Sequence, residues 1–271
     1  MSGEFAGRVC VVTGGAAGIG EACCRAFAAA GGQVAVLDLN VERATAVAAE
    51  LPSARAVGCD VSDSASVQRA FEDIVTAFGC VDVLVNNAGI IGGPEYGRNL
   101  ERRLVQMREA EEGGIRTPLN ATIDLTDALW RNMLATHVDG TFFCTRAALT
   151  GMQARRRGSI VNMSSIAGLD GGGGIPHYAA AKAAILGLTR SIAHEVGPLG
   201  IRVNAVAPGF IDTGMRSQLP EPIASGHIRA TPLGRLGTPA EIAEAVLFLA
   251  SDRASFVSGQ VLSANGGYMS R

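Results

Sequence analysis

A tyrosine and a lysine four residues apart, Tyr178 and Lys182 in HYAAAK, open an alanine-rich apolar run. On a helix, residues at i and i+4 share a face one turn apart. A free phenol ionises near about pH 10, too high for a ready base at neutral pH, but a neighbouring ammonium favours the phenolate. The pair is then a tunable acid and base. Serines 164 and 165 end a strand-like run, and the glycine-rich stretch AGLDGGGGIPH leads over 13 residues from Ser165 to Tyr178. A serine hydroxyl could thus face the phenol across a carbonyl.

A second set of residues suits a dinucleotide. TGGAAGIG, residues 13 to 20, follows the first β-branched run, with Gly14, Gly18 and Gly20 spaced for a tight turn into a helix. Missing side chains there let the backbone and the positive helix end approach a pyrophosphate. The expected contacts in this loop are Gly14, Ala17, Gly18, Ile19 and Gly20. The next strand ends in Asp38, before Leu39 and 18 residues after Gly20, where a carboxylate can accept hydrogen bonds from ribose hydroxyls. The same carboxylate would repel a 2′-phosphate. No arginine or lysine lies between Thr13 and Gly20 to offset that, so NAD is favoured over NADP. Asp60 and Val61 end the third strand at positions suited to the adenine edge. NNAG ends the fourth, with Asn87, Ala88 and Gly89 letting the chain pass close to a cofactor.

These groups need a scaffold that brings strand ends together. Short β-branched runs alternate with alanine-rich stretches, the pattern of a parallel sheet covered on both faces. Strands are expected at 8–13, 33–38, 55–60, 81–87, 158–164, 201–208 and 259–265. With 271 residues, 48% of them hydrophobic, a single α/β domain spanning 1–271 is expected. One connection is too long: an insertion at about 94–121 follows the fourth strand. Tyr96, Leu100, Leu104 and Met107 fall at helical spacing, with Gly113 and Gly114 placed to stop a helix. Five basic and five acidic residues between Glu95 and Arg116 leave the insertion uncharged overall. It reads as a surface decoration, a lid or a subunit contact.

A net charge of −2 supplies no basic field for nucleic acid or an anionic membrane, so the expected partner is a small molecule. Glycines and charges interrupt every apolar run before the roughly 20 residues of a bilayer span. The start, MSGEFAGRV, lacks a signal-peptide pattern, and a cytoplasmic protein is expected. The six cysteines form no CxxC; they read as reduced core residues, and no metal site is expected.

Taken in order, TGGAAGIG, Asp60, NNAG, Ser165, YAAAK and APGFIDT resemble the short-chain dehydrogenase/reductase family over nearly the whole chain. The resemblance implies a doubly wound Rossmann-like fold binding NAD or NADP. It further implies that Ser165 polarises the substrate oxygen, that Tyr178 is the acid or base, and that Lys182 lowers the tyrosine's pKa while holding the nicotinamide ribose. Pro208, Gly209, Ile211 and Thr213 match the segment lining the nicotinamide, and the C-terminal stretch resembles the interface of the family's homotetramers. Where the family usually has an asparagine that helps hold a water beside the lysine, this chain has His137. A partial substitute is expected, since imidazole both donates and accepts. His177 is expected to touch substrate or to lie exposed at a helix start, His194 to be structural, and His227 to sit in the substrate loop.

The leading expectation is an NAD-dependent oxidoreductase acting on a secondary alcohol or ketone, with oxidation favoured. A 3-oxoacyl-thioester reductase drawing on NADPH is the alternative among enzymes. A dinucleotide-binding sensor without turnover is the alternative outside them, and intact Ser165, Tyr178 and Lys182 argue against it.

Overall fold

The computed structural model describes residues 3–213 and 219–269. Its sheet holds β1 (Val9–Thr13), β2 (Gln33–Asp38), β3 (Ala54–Gly58), β4 (Val83–Asn86), β5 (Gly158–Met163), β6 (Ile201–Val206) and β7 (Val261–Leu262). All pair in parallel, in the order β3-β2-β1-β4-β5-β6-β7. The seven expected strands are present, with frayed ends. β7 is the shortest, yet Ala205, Ala207 and Gly209 donate in turn to Gln260, Leu262 and Ala264, so backbone pairing runs beyond the two regular residues.

Because side chains alternate across a pleated strand, each inner strand supplies two cores. Cys10, Val12, Val34 and Val36 meet α1 (Gly18–Ala29) and α10 (Pro239–Ala250) through Phe27, Ile242 and Val246. Val9, Val11, Leu84 and Ile160 meet α3 (Ser64–Phe78), α6 (Gly140–Arg155) and α8 (Pro176–Val196) through Ile74, Met152 and Val196. Phe27 is fully covered, and burying a side chain of that size contributes roughly 1.5–3 kcal/mol. α2 (Val41–Ala49) packs beside β2 and β3.

Local signals set the helix ends. Asp63 caps α3 by accepting from the Ala65 and Ser66 amides, and Gly79 ends it in a left-handed conformation at φ 85°. Thr238 and Glu241 form a reciprocal capping box at the start of α10.

The insertion forms α4 (Pro94–Glu111), followed by an irregular segment that reaches α5 (Asp127–Leu134), capped by Thr126. Its expected apolar face is not the buried one. Glu95 and Asn99 are buried, whereas Tyr96, Leu100 and Leu104 are half-buried and Met107 is exposed. The reason is what the helix packs against. Asn99 and Arg103 donate to the carbonyls of Gly174 and Gly173, while Arg102 and Gln106 donate to those of Leu119 and Thr117. Backbone carbonyls of loops require donors, so a polar stripe faces inward.

Candidate active site

β5 ends at Met163, and Ser165 caps the short α7 (Ile166–Asp170), its Oγ accepting from the Ala167 amide at 3.1 Å. That bond uses a lone pair and leaves the serine O–H free to donate. After the glycine-rich loop, α8 starts at Pro176 and presents Tyr178 in its first turn. The Tyr178 and Ser165 side chains hydrogen-bond to one another. Ser164 does different work: its hydroxyl donates to the Lys182 carbonyl at 2.8 Å and ties β5 to α8.

One turn beyond Tyr178, Lys182 is buried, its Nζ donating to the Met163 carbonyl at 2.7 Å and lying 5.6 Å from the Tyr178 ring centroid. Loss of solvent pushes its pKa down to about 7. Tyr178 departs from the expectation. Its pKa is raised, because burial outweighs the hydrogen bond from Ser165, and Tyr96 pushes in the same direction. In this conformation the lysine serves Met163 and the ring face, so the free protein keeps the phenol protonated.

His137 stands at the break between α5 and α6. There a π-helical turn, Ala135–Asp139, widens the backbone, as π-bulges do. The imidazole is 1% exposed and packs edge-on against Tyr178, with ring centroids 5.6 Å apart. Its Nε2 lies 3.0 Å from the Ile90 amide and 2.7 Å from the Ile90 carbonyl, so it accepts from one or donates to the other according to tautomer. Nδ1 is buried and has no protein partner. Burial and the nearby lysine push the pKa down to about 3, so the ring is neutral at ordinary pH. The imidazole also dictates Gly89, where a Cβ would lie 2.2 Å from His137 Cε1.

The expected cofactor residues line the carboxyl ends of the strands on both sides of the β1–β4 boundary, where strand order reverses. The glycine loop is held by neighbours. Asn87 donates to the Thr13 and Gly14 carbonyls, and Thr13 Oγ1 accepts from the Asn87 and Ala88 amides. Gly14 has φ 62°, and a Cβ there would meet Ala88 Cα at 2.8 Å. Gly20 is tighter still, with the Gly14 oxygen at 2.0 Å from a Cβ position. Asp38 accepts from the Ala16 amide at 3.0 Å and from the Asn40 amide at 2.9 Å, and Leu39 is exposed. Asp60 accepts from Ser62, and Val61 packs on Gly140. On the far side, Pro208 accepts from Ile166, Gly209 fits closely against Asn265, and Ile211 bridges to Gly237. Thr213 approaches Gly18, 3.6 Å from a Cβ position there, and its buried hydroxyl lacks a protein partner. A glycine cradle facing an orphaned hydroxyl, with a carboxylate at the end of β2, fits a dinucleotide.

Some contributors are not among the expected site residues. Asn86 donates to Thr145 and Asn162, and Asn162 donates to Thr189, forming a buried network beneath the site. Asparagines inside otherwise apolar strands were the available signal. His177 is buried, which excludes surface exposure, and stands 3.7 Å from buried Glu95 of the insertion. His227, on α9 (Glu221–Ala230), stacks on Phe210 at 3.9 Å. His194 is exposed on α8, and residues 215–218 of the expected substrate loop lie outside the described residues.

The family profile described as short chain dehydrogenase matches residues 8–224. The chain belongs to the short-chain dehydrogenase/reductase family. Among other members, a 3-oxoacyl-[acyl-carrier-protein] reductase, FabG, of Aquifex aeolicus is 37% identical over 98% of this chain and 99% of its own length. A 2-(S)-hydroxypropyl-CoM dehydrogenase of Xanthobacter autotrophicus is 38% identical over 98% of each. A crystal structure described as ribose-5-phosphate isomerase from Brucella melitensis 16M superposes with a TM-score of 0.82 at 35% identity, covering 99% of this chain and 94% of that one. This short-chain dehydrogenase/reductase is therefore an oxidoreductase by family. No helix of the described residues is long and apolar enough to cross a membrane. All six cysteines are free, and five are buried.

Proposed function

We propose that the protein is an NAD-dependent oxidoreductase that interconverts a secondary alcohol and its ketone. Asp38 carries the choice of NAD. Its carboxylate stands at the end of β2 beside the glycine loop, and exposed Leu39 follows where a cation for a 2′-phosphate would be useful. Bound dinucleotide supplies the hydride acceptor or donor. Gly14, Ala17, Gly18, Ile19, Gly20, Asp38, Leu39, Asp60, Val61, Asn87, Ala88, Gly89, Pro208, Gly209, Ile211 and Thr213 would hold it, with Tyr178 and Lys182 beside the reacting end.

The protein's own part is proton handling. Ser165, whose O–H points to Tyr178 in the free protein, donates it to the substrate oxygen when substrate enters between them. Tyr178 gives a proton to that oxygen in reduction and takes one in oxidation. Lys182, when protonated, stabilises the phenolate. His137, neutral and anchored at Nε2, offers Nδ1 to a water beside Lys182 and so partly replaces the family's asparagine. The name of the Xanthobacter relative, a hydroxypropyl dehydrogenase, supports alcohol chemistry. The FabG relatives support the second reading, a 3-oxoacyl-thioester reductase, which Asp38 disfavours because such reductions commonly draw on NADPH. A cytoplasmic location and a homotetramer belong to the same proposal, the assembly supported by exposed Leu262 on the edge strand β7 and exposed Phe256 shortly before it in the chain.

The test begins with melting curves in matched NADH and NADPH, since a ligand that binds the folded state raises the melting temperature. Selective stabilisation by NADH is expected; selective stabilisation by NADPH overturns the assignment of Asp38 and puts the thioester reductase first. With an active alcohol in hand, oxidation should quicken as pH rises, because burial keeps Tyr178 protonated. Tyr178→Phe should abolish turnover while leaving dinucleotide stabilisation intact. Retained turnover would remove Tyr178 from the chemistry.

A further inference from the structure

The insertion contributes a buried ionisable residue to the neighbourhood of Tyr178. Glu95, in the first turn of α4, and His177, immediately before Tyr178, are each less than a tenth exposed. Glu95 Oε1 accepts from the Gly93 amide at 2.9 Å and lies 3.7 Å from His177 Nε2. No hydrogen bond reaches either ring nitrogen of His177 or Oε2 of Glu95, all three of which are buried. Burial lowers the pKa of His177, against the pull of Glu95, and holds the ring neutral. Buried polar groups normally find partners, so four polar atoms gathered at one seam point to a contact made for more than packing.

The surroundings show what the seam joins. Asn99 and Arg103, one and two turns along α4, donate to the carbonyls of Gly174 and Gly173. The segment leading into Tyr178 is therefore held by α4 at residues 173, 174 and 177. That segment needs an external hold, because its run of four glycines from Gly171 to Gly174 has little conformational preference of its own. Gly93 allows the arrangement, since a Cβ there would lie 2.8 Å from Glu95 Oε2. The same helix start places Tyr96 near enough to raise the pKa of Tyr178.

We infer that Glu95, acting through His177, is a positioning residue for Tyr178, and that α4 is a fixed splint on the catalytic helix. Glu95 touches neither the reacting oxygen nor the dinucleotide. Its buried carboxylate faces the neutral imidazole at 3.7 Å and, together with the bonds that Asn99 and Arg103 make to the glycine-rich loop before Tyr178, fixes the first turn of α8, so the phenol meets the substrate oxygen at a constant angle. Small displacements of a reacting group cost rate out of proportion to their size. The inference rests on the proposed role of Tyr178 but is measurable without a substrate.

The experiment compares wild type with Glu95→Ala, Glu95→Gln, His177→Ala and the double alanine variant. Hydrogen exchange is the substrate-free readout. Faster exchange is expected at residues 173–180 in Glu95→Ala, with residues 13–20 unchanged and NADH stabilisation retained; unchanged exchange at 173–180 overturns the splint. With any alcohol or ketone that wild type turns over, Glu95→Ala should lower kcat about tenfold with KM changed less than threefold. Glu95→Gln, which keeps an acceptor oxygen, should restore most of the rate. The double variant should be no slower than the worse single, as for two groups acting as one unit. Additive losses, or a glutamine variant as slow as alanine, overturn the positioning role. Should wild type turn over no alcohol or ketone, the functional reading fails, and the exchange result still decides for or against the splint.

Discussion

Lys182→Met should make the free protein more stable while destroying its activity. A lysine pKa lowered from 10.5 to about 7 by burial means that the unfolded chain binds more protons than the folded one between those values. Stability therefore rises with pH across that window, and the penalty is fully present below it. At pH 7 the linkage relation gives a cost of about 4 kcal/mol. Methionine has similar length and no charge, so it removes that cost but forfeits the 2.7 Å hydrogen bond to the Met163 carbonyl, worth roughly 1.5–3 kcal/mol for a charged donor. The net gain is about 1–2.5 kcal/mol, or roughly 2–10 °C in melting temperature for a chain of this size. The assay is differential scanning fluorimetry without dinucleotide from pH 6 to 10. The variant should melt higher at pH 6–7, and the gap should close towards pH 10. A variant that melts below wild type at pH 6, or a gap that does not change with pH, would refute the claim that a buried ammonium is kept here at the expense of stability.

The same reasoning extends to His137. Since its pKa is pushed down to about 3 from 6.5, the folded state keeps it neutral, and stability is lost as pH falls through that interval. His137→Asn should retain about 3 kcal/mol more of its neutral-pH stability at pH 4 than wild type does; equal acid sensitivity in urea unfolding would show that another group governs it. The pH profile of turnover in that variant bears on the water-holding role, and a profile indistinguishable from wild type rejects any relay that depends on the imidazole. Gly89→Ala drives a methyl into His137 Cε1 and should cost roughly 1–3 kcal/mol by overpacking. His137→Ala should suppress most of that cost in a double-mutant cycle read by urea unfolding, and strict additivity would contradict the contact.

Much of the fold was legible in residue order. β1 and β2 carry near-continuous apolar runs because both faces are covered, and the seven strands emerged where such runs occur. Tyr178 and Lys182 were legible for a geometric reason, since a helix fixes the relation between residues four apart. The glycine loop was legible because Gly14 and Gly20 admit no side chain. The buried face of α4 was not. Periodicity marked Tyr96, Leu100, Leu104 and Met107, yet Glu95 and Asn99 turn inward, because whether a polar stripe is exposed depends on what lies against it.

The line between what residue order carried and what folding added runs through the site itself. Helical spacing, strand ends and glycine positions are local properties, so the Tyr178–Lys182 pair, the loop from Thr13 to Gly20 and Asp38 follow from short stretches read alone. The ionisation of those groups does not. Lys182 sits near neutrality, Tyr178 stays protonated and His137 stays neutral because segments distant in the chain exclude water around them. The meeting of Glu95 with His177, 82 positions apart in the chain, is of the same kind. Desolvation and long-range contact are sums over neighbours, and those neighbours exist only once the sheet, the π-helical turn and the insertion have come together.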